Sequence, residues 1–152
     1  MDHIYLLIQY RDGEPQCEPV HAELVGDNVY RLRFSPGFVL GIAAGDEFTL
    51  EGEDGAFKVT KRGGNLAIQV FSTTSIDPLL RELDVLAESL GGTLDGNIER
   101  GAVLTIPVAA GFAKVEGALS SFCERHPELK WYYGNVYAAD GTTPLRWWED
   151  GA

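Results

Sequence analysis

The sequence predicts an α+β protein in two packed parts: an N-terminal small β-barrel-like or curled antiparallel sheet, and a C-terminal ferredoxin-like (βαββαβ) sandwich. Three observations predict it. The first 63 residues carry period-two alternation and turn signals but no helical stripe. Residues 65–137 read strand, helix, strand, strand, helix, strand. Each of the two helical segments has one apolar stripe and therefore one face to bury on a sheet. The expected parts are a β part over 1–63, an α/β part over 64–138 and a tail over 139–152 that packs back, with Lys61-Arg62-Gly63-Gly64 as the junction.

Taken in order, His3 to Tyr10 is a strand and Arg11-Asp12-Gly13-Glu14-Pro15 a turn. Val20, Ala22 and Leu24 alternate with His21 and Glu23; beyond Gly26-Asp27-Asn28, Tyr30, Leu32 and Phe34 alternate with Arg31 and Arg33. That is a hairpin in which Glu23 can face an arginine. Asp54-Gly55 predicts a two-residue turn pairing Glu51 with Lys58 and Leu50 with Val59. The glycine-rich stretch Ser35 to Asp46 is a turning connection with Phe38, Leu40 and Ile42 expected inside. About five strands result, enough for a partly closed or curled sheet.

In the second part Asn65 to Phe71 is a strand, and Asp77-Pro78 is an N-cap followed by a proline whose missing N–H costs nothing. Leu79, Leu80, Leu83, Leu86, Ala87 and Leu90 recur at helical spacing, and Gly91 or Gly92 supplies the left-handed end. Strands follow at Thr93–Glu99 and Ala102–Val108. The second helix, Phe112 to His126, aligns Val115, Leu119, Phe122 and Cys123 and stops at Pro127. Gly117 weakens it and is expected to allow close packing on the sheet. Lys130 to Tyr137 is the last strand.

Composition limits function. The net charge is −11 and both halves carry about twice as many acids as bases, which disfavours nucleic acid and leaves a basic protein partner open. No segment is apolar for long enough to span a bilayer, and the start of the chain reads as a strand, so the expected location is the cytoplasm. Cys17 and Cys123 make neither a disulfide framework nor a zinc set. His3, His21 and His126 show no metal-ligand spacing and read as structural or exposed. Asp46, Glu47, Glu51, Glu53 and Asp54 read as a solvated hairpin, and Gly37, Gly41 and Gly45 as a turn instead of a phosphate loop. No catalytic, cofactor-binding or metal-ligating residue is assigned. The suggestive group is aromatic: Trp131, Tyr133, Arg146, Trp147 and Trp148 form a candidate partner-binding patch. Trp131 and Tyr133 share one strand face and Tyr132 takes the other.

Several of these segments together resemble a bacterial family called domain of unknown function 4265. They are Asp27-Asn28-Val29-Tyr30-Arg31-Leu32, Pro36-x-Phe38-x-x-Gly41-Ile42-Ala43-x-Gly45-Asp46, the Asp54-Gly55 hairpin, the helix Leu79–Leu90 and Trp131-x-Tyr133-x-x-Val136. The resemblance runs over roughly residues 3–138. It implies a two-part architecture and a bacterial cytosolic origin, and brings no activity, cofactor or site residue. The expected function is a non-enzymatic protein-binding module, with neutralisation of a basic toxin (an immunity protein) as its specific version. The alternative is a small-molecule-sensing regulatory domain of ferredoxin-like type, with Gly91-Gly92 and Ser72 to Ser75 as its loops. An enzyme built from dispersed residues is a third reading.

Overall fold

The computed structural model describes residues 2–150; the tail's last two residues lie outside them. It is an α+β protein of two antiparallel sheets and two helices. β1 (Asp2–Arg11), β2 (Glu14–Gly26), β3 (Val29–Leu32), β4 (Glu47–Leu50) and β5 (Phe57–Lys61) form one sheet in chain order. Asp12 and Gly13, both at positive φ, turn β1 directly into β2. Alternation then sends Leu6, Val20, Ala22, Leu32 and Phe48 into a core that Val39 and Ile42 complete.

The barrel-like expectation gives way to an open sheet, with β1 and β5 as its two edges. A corner bond joins them loosely: the Leu7 N–H donates to Gly55 O at 2.9 Å. A Cβ on Gly55 would come within 2.8 Å of Tyr5 O, so this approach requires glycine. The same docking changes the expected register. Lys58 faces Thr49 and Val59 faces Phe48, two residues along from the pairs anticipated with Glu51 and Leu50. The hairpin tip is longer than two residues because Asp54 is held against β1 and β2 by Tyr10 and Cys17, and Gly55 by Leu7.

The second sheet contains β6 (Asn65–Ser72), β7 (Thr93–Ile98), β8 (Gly101–Pro107) and β9 (Leu129–Tyr133), in the order β7-β8-β6-β9 with antiparallel neighbours throughout. Helices α1 (Leu80–Ser89) and α2 (Phe112–Arg125) lie on one face. Leu83, Ala87, Val115, Leu119 and Phe122 meet Leu66, Ile68, Leu104 and Ile106 there. Asp77 caps nothing; it is the first residue of a 3-10 turn, and its own N–H goes to Ser75 Oγ at 3.3 Å. Gly91, at φ 81, ends α1 as its spacing requires.

Gly117 does not serve close packing. It is exposed and a Cβ there would meet nothing within 4 Å. Gly117→Ala is therefore expected to stabilise the protein by roughly 0.5–1 kcal/mol, read as a higher urea midpoint at unchanged slope.

The last strand is shorter than the aromatic pattern predicts. It stops at Tyr133 because Gly134, Asn135 and Val136 turn inward. Asn135 Oδ1 accepts the Ala67 N–H at 2.9 Å and its Nδ2 donates to Asn65 O at 2.8 Å. A buried side-chain amide thus continues the β6 edge where the backbone departs. Tyr137 keeps an isolated bridge to Pro144.

The sheets meet through the connection 33–46, which lies across the face of the second sheet opposite the helices. Gln69 Nε2 donates to Pro36 O and Val39 O at 3.3 and 3.2 Å. The Ser35 N–H donates to Asp95 Oδ2 at 2.8 Å, and Thr105 Oγ1 shares that oxygen. This polar seam reverses part of the expectation for the connection. Ile42 is buried as foreseen, but Val39 takes the inward place while Phe38 and Leu40 are exposed.

Candidate functional site

The aromatic residues singled out by sequence divide between packing and surface. Trp147 is 7% exposed, joins the helix-side core, and donates its Nε1–H to Asn135 O at 2.9 Å. Arg146, at φ 60, bends the chain so that Trp147 can enter; its own guanidinium stays in solvent beside Glu149. Trp148 is half-buried against Phe112 with centroids 5.0 Å apart. Trp131 and Tyr133 share a face, as alternation requires, and their rings meet edge-on at 5.0 Å. The tail therefore takes Trp147 into the core and half-buries Trp148, two residues of the candidate partner-binding patch, because Trp147 can pair its N–H inside and Trp148 finds a ring to pack on.

What remains accessible is on and around β9. This is the outer strand of its sheet, so the backbone groups on its free side belong to no ladder. A groove of about 470 Å³ follows it, lined by Leu40, Trp131, Tyr132, Tyr133 and Tyr137 with Glu116. Tyr132 is 52% and Leu40 56% exposed. The Tyr133 hydroxyl donates to Glu116 Oε2 at 2.9 Å. Burial, with Glu116 adding to it, raises the phenol pKa, so Tyr133 stays a neutral donor. Across β6 the row of rings continues: Tyr132 to the half-buried Phe71 and Phe71 to Phe38 are each 6.1 Å between centroids.

A second concavity, of about 290 Å³, opens between the sheets and is lined by Glu18, His21, Phe34, Phe38, Phe71 and Asp95 among others. Its two carboxylates are held by the chain itself. Glu18 accepts the N–H groups of Gly37, Phe38 and Val39 at 2.8, 2.9 and 3.0 Å. The glycine-rich stretch thus does cradle an anion, but the anion is an internal side chain. Asp95 is occupied by Ser35, Thr93 and Thr105. The loop expected to serve a small-molecule sensor at Gly91-Gly92 is filled, since a Cβ on Gly92 would lie 2.0 Å from Thr105 O.

Sequence reading missed three things here. Tyr132 and Leu40 lead the exposed surface, and the signal for Tyr132 was its alternation away from Trp131. Asp46 is buried, not part of a solvated hairpin. His3 and His21, 18 residues apart, are brought into contact by the first hairpin. Among the described residues no three His, Cys, Asp or Glu side chains gather as a metal set, and no helix is long and apolar enough to cross a membrane.

No curated protein matches the chain. A crystal structure of a hypothetical protein from Neisseria gonorrhoeae is similar in fold, with a TM-score of 0.68 at 17% identity, over 87% of this chain and 92% of that one. The profile of the domain of unknown function DUF4265 matches residues 18–131, from the middle of β2 into β9. The sheet-to-sheet seam and both helices lie inside that span, and the chain belongs to the DUF4265 family.

Proposed function

We propose that this protein is a non-enzymatic binding module of the bacterial cytoplasm that takes an extended, basic segment of a protein partner along the free edge of β9. The observation that carries the reading is that open edge with an aromatic groove beside it. An added strand gains main-chain hydrogen bonds from the edge and side-chain specificity from the groove. Arginine or lysine on the partner would find aromatic faces and the Glu116 carboxylate there, within a protein of net charge −11. Neutralisation of a basic toxin is the specific version of this role. The order β9-β6-β8-β7, with two helices on one face, supports reading the second part as a ferredoxin-like unit whose outer strand is the docking edge.

The test is fluorescence anisotropy of a labelled peptide of about ten alternating lysines and valines, at low salt. Tyr132→Ala and Glu116→Lys are each expected to weaken binding at least about tenfold, a difference of about 1.4 kcal/mol. Equal binding of an acidic peptide of the same length, or unchanged binding by both variants, overturns the proposal. The cleft between the sheets favours a second reading, a small-molecule sensor, because concave sites between packed units with apolar walls are common ligand sites. A metabolite-dependent melting shift without peptide binding would select it.

A further inference from the structure

The first hairpin sets His3 directly opposite His21. Their Nε2 atoms are 3.2 Å apart and their ring centroids 4.3 Å apart. Neighbouring Val20 and Ala22 point into the core, so both imidazoles stand on the outer face, exposed. Phe34 holds the His21 ring edge-on at 5.8 Å. A neutral imidazole has one N–H and one lone pair, so the pair as it stands can share a single N–H···N bond. The Nε2 separation also fits another partner, once the two exposed rings turn their lone pairs towards a common point. Two nitrogens each about 2.0–2.1 Å from a tetrahedral zinc ion lie about 3.3 Å from one another.

We propose that His3 and His21 form a two-nitrogen chelate for a transition-metal dication of the zinc type. Imidazole selects zinc and its first-row neighbours over magnesium and calcium, which take oxygen ligands. Because no third His, Cys, Asp or Glu among the described residues completes the set, water fills the remaining positions. The two ligands come from different strands, so an ion on the pair ties β1 to β2 and binds only the chain in which that hairpin is formed. Metal therefore stabilises the folded state by mass action. The site was invisible to a search for short ligand spacing, because strand register and not sequence proximity brings the rings together.

The test is titration of the full chain with Zn²⁺ by calorimetry in a non-chelating buffer, alongside melting curves with Zn²⁺ or Mg²⁺. The expected result is one Zn²⁺ per chain and a melting temperature raised by Zn²⁺ but not Mg²⁺. His3→Gln and His21→Gln should each lower the affinity at least tenfold, while His126→Gln leaves it unchanged. Both substituted side chains are exposed, which keeps the fold out of the comparison. Binding that survives His21→Gln belongs to a site at the start of the chain and overturns the proposal, as does uptake seen only at millimolar Zn²⁺. As a second readout, Co²⁺ should perturb the ring resonances of His3 and His21 together; perturbation of neither, or of His126 instead, also overturns it.

Discussion

Asp46→Ala is expected to remove about 3–5 kcal/mol of folding stability, a loss of roughly 10–15 °C in melting temperature. Asp46 is buried at the end of the connection that packs on the second sheet, against the 61–64 junction between the two sheets. Its Oδ1 accepts the Gly63 N–H at 2.8 Å; its Oδ2 accepts Ala43 N–H at 3.0 Å and Arg62 Nη1 at 3.2 Å. Arg62 also donates to Gly41 O at 2.8 Å and sits over the Trp147 ring, 5.6 Å from its centroid. One carboxylate thus fixes the connection, the junction and, through arginine, the tail. Alanine leaves two backbone donors without acceptors in a place water reaches poorly. Asp46→Asn keeps the shape and one acceptor, and should cost less.

The pair also carries a pH signature. Burial pushes the Asp46 carboxyl above its ordinary 3.8, outweighing the Gly63, Ala43 and Arg62 donors that pull it down. The folded protein therefore keeps this proton at pH values where the unfolded chain has released it. The resulting stabilisation is complete below 3.8 and is lost as pH rises through the raised value. Asparagine has no such proton. The advantage of the parent over Asp46→Asn, measured as urea midpoints from about pH 4 to pH 7, should narrow as pH rises; a widening gap would reverse the direction assigned here.

Gly92→Ala is the second large effect, at least about 3 kcal/mol, detectable as a lower urea midpoint or as failure to accumulate as soluble protein. The cause is space, not dihedral freedom. Gly92 N–H donates to Ala87 O at 2.8 Å and Gly91 N–H to Glu88 O at 3.0 Å, the paired bonds that close a helix on a left-handed residue. This closure lays Gly92 on β8, where a Cβ would stand 2.0 Å from Thr105 O and 3.0 Å from Ile106 Cα. Neither is a side chain that can swing aside, so the start of β7 must lift off. At Gly91 the φ of 81 demands glycine, yet a Cβ there would meet nothing closer than Pro107 Cγ at 3.6 Å. Gly91→Ala should therefore cost only about 1–2 kcal/mol, the price of the left-handed backbone.

The candidate site was legible in chemistry but not in place. Trp131, Tyr133, Trp147 and Trp148 stood out as a dense aromatic group, and they do form one cluster. Hydrophobicity alone does not say which aromatics a folded chain spends on its own core. Trp147 is spent because Arg146 turns the tail inward and Asn135 O waits for its N–H. The surface left over is Tyr132, Leu40 and Tyr137. Leu40 was expected inside with Phe38 and Ile42; the three N–H groups that Glu18 captures over 37–39 hold the connection so that Val39 points inward instead.

Period and punctuation in the sequence determined the nine strands' approximate places, both helices and their apolar faces, because these depend on side chains at fixed local spacing. Tertiary structure alone decided the open edge of β9, the register of the Asp54-Gly55 hairpin, the buried Asp46 clamp and the meeting of His3 with His21. Each of those depends on how segments far apart in the chain pack together. Its free energy comes from the shared exclusion of water and from donors that only the folded backbone presents, and no window of sequence contains both partners.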